Sequence, residues 1–169
     1  MRLPSPITRA LCRRAERIMR EREPDRVIGT QYLRRWHLVA RNDRLNVYLH
    51  EFTGSDDDRA LHDHPYRSMS IILRGRYWEH RPSNPANPAG EGTLLYLRRE
   101  GDITIRAAAA AHRIEVPPRH ATPTNPVITL FITGRRHREW GFWCPKGWRH
   151  WRQFTDPTDS GQIGRGCGD

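Results

Sequence analysis

The sequence predicts an all-β domain with one N-terminal α-helix. Two observations lead there. From Gln31 onward the apolar residues fall in short runs split by Gly, Pro, Asn and Asp clusters, the rhythm of a sandwich or barrel. Before that point, residues 7–22 keep a helical period instead. The length of 169 residues suits one domain with a proper core, and no internal repeat or second domain is visible. The expected organisation is an amphipathic helix over 1–24, a β-barrel or sandwich over 25–154 and a flexible, polar, Gly-rich tail over 155–169.

In the helix, Ile7, Ala10, Leu11, Ala15, Ile18 and Met19 recur on one face between arginines and glutamates. Pro4 and Pro6 precede it, Ser5 or Thr8 is placed to cap it, and Pro24 ends it. It should lie on the outside of the domain, packed through Ile7, Leu11 and Ile18. Tyr32 to Ala40 and Leu45 to Phe52 then flank Arg41-Asn42-Asp43-Arg44, a hairpin signal. In the second run Tyr48, His50 and Phe52 share one face, while Leu45, Val47, Leu49 and Glu51 share the other. The pattern does not say which face is inward. Gly54 to Asp58 is an acidic loop whose aspartates are expected to be solvated or paired with Arg59; its spacing is not that of a calcium loop.

The most informative stretch is HDHPYRSMSIILRG, from His62 to Gly75. On a strand, His62 and His64 at i and i+2 face the same side. Imidazole is the commonest protein ligand for a mid-series transition metal. Pro65 turns the chain, Met69 to Leu73 reads as a buried strand, and Gly75 as a tight turn. Strands are expected next at Arg76–His80, Thr93–Arg98, Ile103–Arg106, His112–Val116 and Val127–Thr133, with a surface loop over 82–92. The second informative stretch is GDITIRAAAAAHRIE. Its five alanines favour helix by propensity, but they are too few to form one alone and lie between two β-like runs. They are read as a tight loop that carries His112 into the next strand.

These two stretches together resemble the paired motifs of the cupin superfamily, over about residues 45 to 135. His62, His64 and Gly75 hold the first motif's register, with Ser68 at its glutamate position and Asp56 at its leading glycine. Gly101 and His112 hold the second, with Ala107, Ala109 and Val116 replacing its Pro, Gly and Asn. The chain is also similar to small cupin-like proteins of phages and bacteria. The resemblance implies a cupin-type jelly-roll β-barrel with one divalent metal held by His62, His64 and His112. A three-histidine set without the glutamate resembles the thiol dioxygenase branch, which uses Fe(II); Zn, Mn and Ni are the other candidates. Tyr48, His50, Ser68, Tyr77 and Glu79 are candidates for supporting the ligands or touching substrate, and Glu79 is a candidate substitute for the missing carboxylate ligand.

Composition bounds the partners. The net charge is +10, and Lys146 is the single lysine among 29 basic residues. This permits an acidic or nucleic-acid partner, but the charge is spread rather than blocked, so nucleic acid is not favoured. The run from Arg135 to Arg152 adds Trp140, Phe142, Trp143, Trp148 and Trp151, which suit a plug over one end of the barrel, stacking on bases or a pocket wall. No apolar run approaches the roughly 20 residues of a membrane span, and no apolar signal core follows the N-terminus. A cytoplasmic protein is expected. Cys12, Cys144 and Cys167 form no CxxC and suggest no disulfide framework. Nucleophile motifs, phosphate loops and paired carboxylates are lacking. The leading expectation is therefore a metal-dependent oxygenase of a small molecule. The alternatives are a non-catalytic binding module and a sugar isomerase or epimerase; a homodimer is left open.

Overall fold

The structure is a computed structural model that describes residues 1–29, 32–56, 60–90, 92–159, 161–162 and 164–168. Helix α1 spans Ser5–Glu21. The strands are β1 Arg26–Ile28, β2 Leu33–His37, β3 Asn46–Phe52, β4 Leu61–His62, β5 Ser68–Arg74, β6 Arg76–Pro82, β7 Thr93–Arg99, β8 Ile103–Arg106, β9 Arg113–Glu115, β10 Val127–Thr133, β11 Gly141–Cys144 and β12 Gly147–His150. A last turn of helix, α2, covers Trp151–Phe154.

The described strands form three sheets: a six-stranded sheet ordered β1-β2-β3-β10-β5-β8, and two three-stranded sheets, β12-β11-β4 and β7-β6-β9. Leu33, Phe52, Ile72 and Val127 of the large sheet pack against Tyr77 and Val116 opposite, which places the layers face to face. The expected closed jelly-roll barrel is met only in part, because the sheets do not close. Pro65 ends β4 just beyond its second residue, and Pro117-Pro118 end β9, so neither extends into a continuous ladder. Among the described residues one bridge, His62 to His112, joins the two small sheets.

The motif glycines make the corners. Gly75 (φ +79°) carries the chain from β5 in the large sheet to β6 in a small one, and Gly101 (φ +83°) carries it back into β8. A Cβ on Gly101 would sit 2.9 Å from the Leu3 carbonyl oxygen. Both corners therefore need glycine for conformation, and the second needs it for space as well.

α1 packs on the outer face of the large sheet, but not on the whole face expected. Leu11, Cys12, Ala15, Ile18 and Met19 meet Trp36, Leu49, Ile71, Leu73 and Ile128, whereas Ile7 is half-exposed. The cap also differs. Pro4 holds the N-cap position with no side-chain cap bond, and Thr8 Oγ1 donates back to the Pro4 carbonyl. The β2–β3 hairpin is present, its turn held by Asn42, whose Oδ1 accepts from the backbone N–H of Arg44 and Leu45. Leu49 meets the helix side, so Tyr48, His50 and Phe52 form the inward face of β3.

One expectation for the C-terminus is corrected. Cys144 and Cys167 form a disulfide. Tail residues hydrogen-bond to the body of the domain: Gly164 and Gly166 donate to the Phe154 carbonyl, and Gln162 Nε2 donates to that of Gly29. A pair separated by 23 residues leaves no local pattern to read. Cys12 stays free, its thiol pushed up to about 11 by burial and by Glu16. In the chain-entropy account a closed loop of that length is worth about 3 kcal/mol. Replacing Cys144 and Cys167 together by serine should lower stability by that order in chemical denaturation; a midpoint unchanged from wild type would show that the tail is held without the bond.

Candidate metal centre

The centre is built from backbone first. In the small sheet, β4 pairs with β11, setting His62 opposite Phe142. On its other edge His62 exchanges both main-chain hydrogen bonds with His112, at 2.9 and 3.0 Å. Two residues on, the His64 N–H donates to the Ala108 carbonyl at 2.9 Å. The alanine run is the expected tight loop and not a helix. Its small side chains allow the close approach: Ala108 and Ala111 are both buried.

This pairing brings the three histidines together. One ring nitrogen from each of His62, His64 and His112 lies within 4.8 Å of the others. His112 Nδ1 is 3.2 Å from the Ala110 carbonyl oxygen, a contact in which Nδ1–H donates and Nε2 is left as the free acceptor. Burial pulls His64 and His112 well below the usual imidazole range. The neighbouring histidines and Arg106 push the same way, and for His64 Arg35 and Arg138 do so too. Both rings are therefore neutral at neutral pH, the state in which imidazole binds a metal.

Asp63, on the opposite side of the strand, fixes the pair from behind. It is fully buried; Oδ1 accepts from the Gly141 N–H at 2.8 Å, and Oδ2 from Trp148 Nε1 at 3.1 Å and from Arg138 at 3.0 Å. The Trp-rich stretch thus becomes a hairpin and a helical turn clasped to the histidine strand. Phe142 lies 5.9 Å from His62 and stacks on Phe154 at 3.6 Å, and Trp140 stacks on Trp151 at 6.0 Å. Trp140, Phe142 and Trp151 serve as pocket wall. Arg136 pairs with Glu139, and Arg149 donates to the Gly166 carbonyl.

The histidines open on a cavity of about 670 Å³ between the layers. Of the other predicted residues, Tyr48, His50 and Tyr77 line it. His50 is buried and held well below the usual imidazole range by burial and by Arg35, whose Nε donates to its Nε2 at 2.9 Å. Ser68 sits buried beside Thr133, outside the cavity lining. Glu79 is corrected as a candidate ligand. Its carboxylate is committed to Arg106 (2.6 Å), Arg98 (2.8 Å) and Arg81 (3.0 Å) and is not part of the histidine group. Burial raises its pKa, but the three guanidiniums outweigh that and hold it below the usual carboxylate range.

Sequence reasoning missed Arg35, Tyr66, Phe131 and Asp56, all of which line the cavity. Tyr66 was within reach, since it follows His64 by two residues; its ring stacks on His64 at 5.7 Å. Asp56 was expected in a solvated loop. Instead it accepts from the Ile114 N–H at 2.7 Å, and burial raises its pKa. The rest of that expectation concerns Asp57, Asp58 and Arg59, which lie outside the described residues.

Solved structures similar to this chain include proteins described as cupin-like or as having a double-stranded β-helix domain. Among the similar structures, Fe(II) HppE is 14% identical with a TM-score of 0.50, over 67% of this chain and 56% of that one. A double-stranded β-helix protein of Klebsiella pneumoniae is 14% identical with a TM-score of 0.48, over 68% and 86%. The DMSP lyase DddQ of Ruegeria pomeroyi is 15% identical with a TM-score of 0.49, over 69% and 54%. The chain thus spans about half the length of HppE and of DddQ. No protein-family model and no curated protein sequence matches it. The chain has a mostly β fold with few helices and a three-histidine group, and among its described residues no helix is long and apolar enough to cross a membrane.

Breaking a buried charge cluster by removing one partner costs about 3–5 kcal/mol. Glu79→Gln should therefore lower stability by that order near neutral pH. Because the folded pKa is depressed, the wild-type advantage is full above the usual glutamate range and fades as pH falls through the folded value. Denaturation curves across that range check both; an advantage that grows on acidification would contradict the assignment.

Proposed function

We propose that this chain is a metal-dependent enzyme, an Fe(II) oxygenase acting on a small molecule that enters the cavity. One observation carries the reading: three imidazoles, at least two of them held neutral, meet at the wall of a cavity large enough for a substrate. A sandwich held by apolar strands has no structural need of converging imidazoles.

The donor set fits a mid-series divalent ion. Nitrogens within 4.8 Å of one another reach a common ion through small side-chain rotations, since metal–imidazole bonds are about 2.0–2.1 Å. With Glu79 tied to its arginines the ligand face is neutral, and three ligands leave positions open for a substrate. Fe(II) bound there would supply the redox chemistry that activates dioxygen. The chain's own residues set the stage for it. The Ala110 carbonyl fixes the ring of His112, and the His62–His112 backbone pair fixes the spacing of two ligands. Tyr66 and Phe131 pack around His64, with ring centroids at 5.7 and 6.1 Å, and keep bulk water from that side.

Untagged protein purified without added metal should carry one transition-metal ion per chain by elemental analysis. His64→Ala should lower metal affinity at least about tenfold, and Fe(II)-dependent dioxygen uptake should fall with it while the melting curve stays near wild type. A candidate panel of thiols, 2-oxo acids and aromatic acids serves for the uptake assay. Small-molecule binding that survives in His64→Ala, with no uptake by wild type on any candidate, would favour a non-catalytic binding module. Iron displaced by stoichiometric zinc in the native protein would move the chemistry to that of a Lewis acid.

A further inference from the structure

The alternation of β2 places Leu33, Arg35 and His37 opposite Phe52, His50 and Tyr48 on the inward face. A guanidinium set into an interior wall is costly unless something offsets its charge. Among the described residues the partners of Arg35 there are neutral. Its Nε donates to His50 Nε2 at 2.9 Å, and its guanidinium lies over the Tyr48 ring at 4.9 Å. Among the described residues no carboxylate forms an ion pair with it. The other cavity arginines differ: Arg106 is on Glu79, Arg136 on Glu139 and Arg26 on Asp159, while Arg41 sits exposed at the mouth.

We propose that Arg35 is the anion-recognition residue of this cavity and that the molecule it takes carries a single carboxylate. Bonding through Nε leaves both Nη groups, and a carboxylate accepts one hydrogen from each in a two-pronged fork. One guanidinium offsets one negative charge. A phosphate dianion would keep a charge unmatched against Phe52, Phe131 and Tyr48, so a carboxylate is favoured. The geometry also sets a direction. Phe131 lies 5.0 Å from His50 and 6.1 Å from His64, and so spans the distance from the Arg35 anchor to the histidine cluster. A ligand held by Arg35 runs along Phe131 and presents its far end at His64. That far end is a heteroatom able to bind a metal, a part of the proposal that rests on the metal reading; the carboxylate anchor does not.

The test titrates propionate and inorganic phosphate into the full chain by calorimetry, both metal-free and loaded with Co(II). The variants are Arg35→Met, Arg35→Lys and, as a control at the mouth, Arg41→Met. Propionate should bind wild type in both forms and more tightly than phosphate. Arg35→Met should weaken it by about tenfold or more, the worth of a charge-assisted fork. Arg35→Lys should weaken it less, and Arg41→Met should leave it unchanged. The visible spectrum of the Co(II)-loaded variant shows whether the histidine site is intact; if Arg35→Met does not fold, Arg35→Lys carries the comparison. Propionate binding equal in wild type and the Arg35 variants, no propionate binding by wild type, or tighter binding of phosphate each overturns the proposal. Arg35-dependent propionate binding in a protein that takes up no Co(II) would uphold the carboxylate anchor and sink the metal reading instead.

Discussion

Two backbone hydrogen bonds, exchanged between His62 and His112, hold the centre of this molecule together. They form the bridge between two small sheets that each cover part of the large one. Without that bridge β4 would have only β11 as a partner, and His62 and His112 would have no fixed spacing. The side-chain site is thus a by-product of main-chain pairing. Because backbone pairing is obligatory in a buried segment, the spacing is rigid before any ligand arrives. Asp63 ties the C-terminal hairpin to the same segment, and the disulfide ties that hairpin to the tail.

Charge in the interior follows a consistent pattern. The imidazoles of His50, His64 and His112 are kept neutral by desolvation and by nearby arginines. Glu79, the buried carboxylate of β6, is surrounded by three guanidiniums from β6, β7 and β8 and serves as an electrostatic clamp between strands. That arrangement explains why a carboxylate so near in sequence to the histidines is not one of their ligands. Arg35 stands outside the pattern, cationic and faced by a neutral histidine and an aromatic ring.

What could be read from the chain was what local geometry dictates. The i, i+2 spacing of His62 and His64, the glycines at 75 and 101 and the alanine run before His112 each have a short-range meaning, and each lies where that meaning puts it. Helix α1 was legible for the same reason, although Ile7, expected to pack, is half-exposed. What was hidden depends on pairing across long separations. Alternation shows that Arg34 and Arg35 face opposite ways, but only the β2–β3 register and the position of α1 show that Arg35 is the inward one. The surroundings of Glu79 come from Arg98 and Arg106 on other strands, and Cys144 meets Cys167 through the fold of a tail that composition alone marks as loose. The barrel was expected closed because the motifs resemble those of closed barrels; the prolines after β4 and β9 keep the ladders short.

The central claim is that His62, His64 and His112 hold one metal ion, and X-ray absorption at the iron edge tests it most directly. Fe(II)-loaded wild type should show the multiple-scattering signature of three imidazoles around each iron. His64→Ala loaded in the same way should show the loss of one. A spectrum of oxygen neighbours alone, or one that His64→Ala leaves unchanged, would contradict the account.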